Sequence, residues 1–400
     1  MTIAARMNRH TWSMERLSVS LIFMSAGIAF ASWAGRLSII HSVFDFSGTD
    51  LGAFLACMTV GTMVGISFTP RLLGRFGPRP LLLLLPLGLA SLLVMLGISL
   101  IDSRSAPWAF LIIGLNGVLF GMLDIVMNIC GGQVERQAGR SLMPSFHGFF
   151  SLGSVIGAAS AGLTMHFRIW SIWHFTIVAI VLTVIALYAS SGFPRQAPSA
   201  SLRPATPTST GQTNTKSQIG TTILILGLMV AGLSFAEGAA NDWLAVASVE
   251  GHGFTHSKGA LVFAAFTAAM TIGRFAGGHV VDRLGAKRTL LIMGAIGLLG
   301  IVLFVRGESV ITIAAGAILW GLGSSLGFPV GMSIATAKAP THGPKIVTSV
   351  SMFGYGAMLS GPPLIGFVSD YTGLPQALWL AAAVMCLSVL LTPLAARNHR

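Results

Sequence analysis

The chain has 400 residues, of which 54% are hydrophobic and only 9% are charged, and its mean hydropathy is +0.80. Charged residues make up about a quarter of an ordinary soluble domain. The composition therefore excludes a water-soluble globular protein and predicts a chain embedded in lipid.

Apolar runs of roughly 20 residues, the length that crosses about 30 Å of hydrocarbon, recur along the whole chain. They form two groups of six, separated by a stretch rich in Pro, Ser and Thr. We predict an all-α membrane protein with an N-terminal six-helix bundle (1–190), a flexible cytoplasmic linker (191–219) and a C-terminal six-helix bundle (220–400). The predicted spans lie near 17–40, 49–70, 80–101, 107–131, 144–165, 170–190, 220–246, 258–281, 289–306, 310–334, 346–368 and 375–395.

Two segments about 208 positions apart, 46–79 and 254–288, are variants of one another. Each runs from a Phe through an apolar span with two glycines to a basic turn, which reads Arg75-Phe-Gly-Pro-Arg79 in the first copy. A repeat of half the chain length, made of apolar helices that end in a basic turn, is typical of a two-halved membrane transporter.

The net charge of +12 is a sign of membrane topology rather than of nucleic-acid binding. With a cytoplasmic N-terminus, 18 Lys and Arg residues lie on the cytoplasmic side and 5 on the opposite side, with Arg274 inside the membrane. This split follows the positive-inside rule and places both termini in the cytoplasm. Ala29-Phe-Ala31 resembles a signal-peptidase site, but the first span continues to Ile40, so we expect no cleavage there.

Span four carries a candidate coupling residue. Gly117, Gly121, Asp124, Asn128 and Glu135 share one helical stripe, which we expect to line a cavity. An ionisable side chain at the bilayer centre costs about 2.5 to 3.5 kcal/mol on insertion scales, so its presence needs a reason. A carboxyl in a site of low dielectric constant can hold and release a proton near neutral pH. The alternative is that Asp124 only ties span four to a neighbouring helix.

Span seven carries a second polar cluster. Ser234, Glu237 and Asn241 share a face, and Asp242 and Trp243 continue toward the outer end. An amide, carboxylates and an indole suit a hydroxylated ligand or a cationic one. The alternative is a gate network at the outer vestibule.

Four further residues are candidates. His147 either binds solute or is a helix-end residue that bonds to the backbone, and Trp33 lies on the outer part of span one. Arg36 has three interpretations: countercharge of a carboxylate on span seven, solute ligand, or an interfacial arginine that snorkels. Arg274 lies beside the second basic turn, which favours a role in conformational switching.

Gly278-His-Val-Val-Asp282-Arg283-Leu-Gly285-Ala-Lys287-Arg288 resembles the loop signature of the major facilitator superfamily, at the expected place between spans eight and nine. The first copy has Gly74 where the family usually has Asp. The resemblance implies two six-helix bundles around a central cavity. It also implies a conformational switch formed by Arg75, Arg79, Arg274, Asp282, Arg283 and Arg288.

Asp124-Ile-Val-Met-Asn128, with the Gly-containing helix that follows, resembles the fucose:proton symporter branch, which implies substrate binding and proton coupling at Asp124. The branch's acid on span one has no match at 32–36. More closely, 32–34, 147–148 and 235–243 resemble bacterial permeases that include the membrane protein of rhizobial rhizopine gene clusters. Rhizopines are inositol amines, so this resemblance implies a polyol or amino-polyol substrate.

We therefore expect a secondary transporter in the bacterial inner membrane that moves a small polar solute, a sugar, polyol or amino-inositol, by proton-coupled alternating access. Sodium remains an alternative coupling ion. We expect a monomer, not an enzyme, without cofactor, metal or nucleic-acid partner. Two alternatives share the fold: a multidrug or metabolite exporter, and a sensor that no longer transports.

Overall fold

The computed structural model describes residues 3–101, 105–138, 142–192, 216–342 and 345–395, and across these residues the regular structure is helical. The helices are α1 (Ile3–Ala34), α2 (Leu37–Phe44), α3 (Gly48–Phe76), α4 (Pro78–Ser99), α5 (Ala106–Ala138), α6 (Met143–His166), α7 (Ser171–Ser191), α8 (Lys216–Glu250), α9 (His256–Arg306), α10 (Val310–Ser324), α11 (Gly327–His342), α12 (Lys345–Thr372), α13 (Leu374–Ala377) and α14 (Trp379–Ala395).

All predicted spans fall on helices, which confirms the all-α membrane fold. Within the described residues, 10 helical segments are long and apolar enough to cross a membrane. One of them, α9, has 51 residues, and Gly285 interrupts it with a non-helical conformation, so it contains both the eighth and the ninth predicted spans. The eleventh predicted span is α12, a helix of 28 residues outside those 10.

Backbone conformation confirms the internal repeat. Gly77 and Gly285, 208 positions apart, both have a φ of 75° in the two basic turns. Asp45 (φ 52°) and Gly253 (φ 66°) are also 208 positions apart and end the helix that precedes each copy. A left-handed conformation favours glycine, which explains why the turn sequences keep this residue.

Close glycine contacts recur in both halves of the chain, and the carbonyl groups that they face, those of Met58 and Phe266, are 208 positions apart. A Cβ on Gly117 would lie 2.0 Å from the carbonyl oxygen of Met58, and a Cβ on Gly321 would lie 2.2 Å from that of Phe266. Any larger residue would force the helices apart, so these glycines set the separation of α5 from α3 and of α10 from α9. The expectation that Gly117 and Gly121 line a cavity is wrong, because the backbone of α3 fills the space in front of both.

The chain divides into two compact units. In the first, α1 packs against α6 and α7, and α4 packs against α5 and α7. In the second, α8 packs against α12 and α14. Most of the predicted linker lies outside the described residues, and α8 begins at Lys216. The first unit comprises Met1–Phe46, Phe54–Arg203 and Thr255–Ala264, and the second comprises Ser47–Ala53, Pro204–Phe254 and Ala265–Arg400.

Candidate functional site

Asp124 and Asn128 form a local pair on α5 in the first unit. The amide nitrogen Nδ2 of Asn128 donates to Asp124 Oδ1 at 3.1 Å and to the Asp124 carbonyl oxygen at 2.8 Å. Both side chains are half-buried, and the Asp124 carboxyl has no cationic partner among the described residues. Its hydrogen bond stays within its own helix, so Asp124 does not tie α5 to a neighbour.

A cluster of half-buried aromatic rings adjoins this pair. Phe120 lies one helical turn before Asp124, and its ring centroid is 6.0 Å from that of Phe30 and 6.4 Å from that of Phe150. Trp33 packs edge-on against Phe30 at 5.5 Å and is buried, and its indole Nε1 has no hydrogen-bond partner within the described chain. Phe120 was not among the predicted site residues, although its spacing of four residues from Asp124 places it on the same helical face.

His147 and Glu135 have separate environments. His147 is exposed, and its ring lies edge-on to Phe23 at 5.2 Å. Glu135 accepts hydrogen bonds from the N–H groups of Leu142 (2.5 Å) and Met143 (2.7 Å), where α6 begins. Glu135 therefore satisfies donors that a helix N-terminus leaves unpaired, which is a structural role.

Arg36 is 2% exposed and is held entirely by neutral groups. Its Nε donates to His174 Nδ1 at 2.9 Å and its Nη1 to Ser171 Oγ at 2.9 Å. Its Nη2 donates to Thr164 Oγ1 at 2.8 Å and to the Ile169 carbonyl oxygen at 3.3 Å. A snorkelling role is wrong because the guanidinium is buried. Its role as a countercharge to span seven stays a prediction, and no carboxylate contacts it among the described residues.

In the second unit, Glu237 of α8 pairs with Arg274 of α9. Arg274 Nη2 lies 2.6 Å from Glu237 Oε1, and the two side chains are 19% and 9% exposed. The indole Nε1 of Trp320 donates to the Ala236 carbonyl oxygen at 3.1 Å and so fixes the backbone next to Glu237. The predicted role of Arg274 beside the basic turn did not include this pair, which joins Arg274 to the polar cluster of span seven.

The other members of that cluster lack partners within the described chain. Asn241 and Asp242 are half-buried and make no hydrogen bond or ion pair there. Trp243 is buried and its Nε1 is unpaired, as is the buried Ser234 Oγ. Leaving a buried polar group unsatisfied costs about 1 to 3 kcal/mol, which applies to Ser234 Oγ and Trp243 Nε1. Together with the unpartnered Asn241 and Asp242, these groups are candidates to bind a ligand.

The residues of the predicted switch lie at the basic turns. The Arg75 guanidinium stacks over the ring of Phe76 at 5.3 Å, and the Asp282 carboxylate has no partner among the described residues. Their switching role stays a prediction. Arg79 is half-buried, and Arg75, Asp282, Arg283 and Arg288 are exposed.

Two repeated sets of membrane-length helices, with ionisable side chains inside them, define a multi-pass membrane protein of the transporter class. The sequence profile described as the Major Facilitator Superfamily matches residues 17–307 and 249–400. The chain belongs to this superfamily, which confirms the predicted resemblance. Membership makes it a transporter-type protein rather than an enzyme.

Curated relatives span nearly the whole chain. An uncharacterized MFS-type transporter of Yersinia pestis is 26% identical over 383 residues, which are 96% of this chain and 94% of the relative. Membrane protein MosC of Rhizobium meliloti is 26% identical over 380 residues, 94% of this chain and 89% of the relative.

Solved structures confirm the fold. The nucleoside transporter NupG superposes with a TM-score of 0.67 at 16% identity, over 96% of this chain and 100% of NupG. A bacterial homolog of the human lysosomal transporter Spinster, in an inward-facing and unoccupied conformation, superposes with a TM-score of 0.70 at 14% identity, over 97% and 98% of the two chains.

Proposed function

We propose that the protein is a secondary active transporter that moves a small polar solute by alternating access, coupled to protons. The solute is a sugar, a polyol or an amino-inositol such as a rhizopine. The observation that carries this proposal is the pair Asn241 and Asp242, consecutive residues on α8 that are half-buried within a membrane helix and have no partner in the described chain.

The chemistry of this cluster suits a ligand with several hydroxyl groups or an ammonium. The Asp242 carboxylate accepts from hydroxyls or pairs with an ammonium, and the Asn241 amide both donates and accepts. Glu237 and Arg274 are already paired, so they add polarity near Asn241 without an excess charge. A solute that bonds to Asn241 and Asp242 supplies the hydrogen-bond partners that their side chains lack within the described chain.

Proton coupling is assigned to Asp124. Its partner, the Asn128 amide, is neutral, so adding a proton to the carboxyl changes the local charge by one unit without breaking an ion pair. A charge change at a poorly hydrated position alters the relative energies of two conformations that hydrate it differently. Proton binding and solute binding would thereby bias the same equilibrium.

The proposed location is the bacterial inner membrane, with both termini cytoplasmic and the protein monomeric. The asymmetry of Lys and Arg between the two sides supports this orientation, and the relatives from Yersinia pestis and Rhizobium meliloti are bacterial. A thiol introduced at the N-terminus and labelled from outside intact cells would contradict the orientation.

The experiment is a thermal-shift screen of sugars, inositols and amino-inositols on the detergent-purified protein, followed by counterflow in proteoliposomes. A true substrate raises the unfolding temperature of the wild type and of Glu308→Gln, a control that removes an exposed carboxylate. It should fail to do so for Asp242→Asn. Stabilisation by apolar drugs alone would indicate the exporter. Solute binding without flux would indicate the sensor.

A further inference from the structure

One cavity of about 470 Å³ lies within the first unit, apart from Asp124 and Asn128. Its walls come from the start of α2, the turn between α6 and α7, and the start of α9. The volume falls in the range of small-molecule sites, roughly 300 to 1,000 Å³. None of the lining residues is a carboxylate, and those with a positive charge or an imidazole are Arg36, His166, Arg168 and His256.

Arg36 reaches this cavity with an unused donor. A guanidinium has five N–H groups, and four bonds engage Nε, Nη2 and one hydrogen of Nη1. The second Nη1 hydrogen has no acceptor within the described chain. His174 cannot supply a countercharge, because its Nδ1 accepts from Arg36 while its Nε2 lies 3.0 Å from Ser160 Oγ.

Helix ends add to the positive potential. α7 begins at Ser171 and α9 begins at His256, and both residues line the cavity. The residue before α7, Trp170, offers no side-chain cap, and the Ser171 N–H has no acceptor among the described residues. The N-terminus of a helix attracts anions through such free N–H groups and through the helix dipole.

The 255–257 segment is fixed to the same unit by a buried hydrogen bond. Ser257 Oγ donates to the Gly162 carbonyl oxygen at 2.8 Å, near the end of α6. The start of α9 is thereby held against the turn that carries Arg168, whose φ of 55° places it in a left-handed conformation. The cavity is built by packed elements, not by a chance surface depression.

We propose that this cavity binds a small oxyanion, a carboxylate, sulfate or phosphate group. The buried Arg36 guanidinium and the free N–H of Ser171 would be its donors, and Arg168 would close the open side. A buried cation with only neutral partners is costly, and an oxyanion supplies the missing negative charge together with acceptors for the unused N–H groups. The group belongs either to a free solute or to an anionic lipid headgroup.

The test is calorimetric titration of the full-length protein in a nonionic detergent with sodium sulfate, against sodium chloride at equal ionic strength. Arg168→Gln, a change at an exposed side chain, should weaken sulfate binding roughly tenfold through the loss of one charge-assisted bond. Arg306→Gln is the matched control. This variant removes the same charge from an exposed arginine that stacks on Trp379 in the second unit. The affinity of Arg306→Gln for sulfate should stay within about twofold of that of the wild type.

Arg36→Lys keeps the positive charge but replaces the several N–H donors of the planar guanidinium with a single ammonium group, so it should also weaken sulfate binding. A lipid arm compares phosphatidylglycerol with a neutral glycolipid by native mass spectrometry. The cavity binds a lipid headgroup if phosphatidylglycerol is retained, if sulfate displaces it, and if Arg168→Gln abolishes the retention. Sulfate binding without lipid retention assigns it to a free solute. The proposal is overturned if wild type binds neither probe, or if Arg168→Gln and Arg36→Lys both bind as wild type does.

Discussion

The Glu237 and Arg274 pair predicts a strong energetic coupling between α8 and α9. The Nη2 to Oε1 distance of 2.6 Å and the exposure of 9% and 19% describe a nearly dry, charge-assisted contact. Removing one partner of a buried pair costs about 3 to 5 kcal/mol, because the other charge stays buried. Since Arg274 is partly exposed, we expect Glu237→Gln and Arg274→Gln each to lower the free energy of unfolding by about 3 kcal/mol. The loss in the double variant should be smaller than the sum of the two single losses by about 1 to 3 kcal/mol.

The assay is reversible unfolding in mixed micelles of the wild type, the two single variants and the double variant. Ser257→Ala serves as a control, because it deletes a neutral hydrogen bond between helices, and such bonds average only about 0.6 kcal/mol in membrane proteins. Additivity of the two changes within about 0.5 kcal/mol would show that the pair carries no coupling. The reasoning would also fail if the Ser257→Ala loss equalled that of the charge variants.

Four further changes test other parts of the account. Asp124→Asn should leave counterflow exchange intact and abolish uphill accumulation in proteoliposomes; unchanged accumulation would exclude Asp124 as the coupling residue. Asn241→Ala should weaken solute binding roughly tenfold to a hundredfold in calorimetry, through loss of a hydrogen-bonding partner of the bound solute; wild-type affinity would favour the gate interpretation. If Asp282 makes a contact in one state only, as the switch hypothesis holds, Asp282→Asn should shift spin-label distances between the cytoplasmic ends of the two halves toward the inward-open state; an identical distance distribution argues against the switch. Hydrogen bonds from the Thr49 hydroxyl and, to a smaller extent, from the backbone N–H groups of Thr49 and Gly48 lower the pKa of Asp370 below its usual value. Asp370→Asn should therefore lower the unfolding temperature at pH values above the unfolded-state pKa, and the difference from wild type should fade as pH falls through the folded-state pKa. A difference in unfolding temperature that does not change with pH would refute this.

The fold could be predicted because its determinants are local in sequence. Apolar runs of membrane length and turns that contain glycine can be recognised directly in the sequence. Gly77 and Gly285, one in each copy of the repeat, have the same φ of 75°. The position of the helix break in span one was not predictable from hydropathy. The break at Gly35 and Arg36 turns Arg36 inward, where it meets His174 instead of the membrane interface.

The candidate site could be predicted only in part, since helical periodicity reports neighbours on one helix. It correctly joined Asp124 to Asn128, which are four residues apart and hydrogen-bonded. It could not pair Glu237 with Arg274, because these lie on different helices and meet only through packing. It also assigned Gly117 to a polar face, although that glycine packs directly against the backbone of α3.

The central claim is that solute and protons move together, and proton flux tests it most directly. Proteoliposomes with an internal pH-sensitive dye and no imposed gradient would receive a solute identified by the thermal-shift screen. The account predicts that the solute acidifies the lumen in the wild type, and that Asp124→Asn abolishes the acidification while counterflow persists. Solute uptake by the wild type without any acidification, or equal acidification by Asp124→Asn, would contradict it.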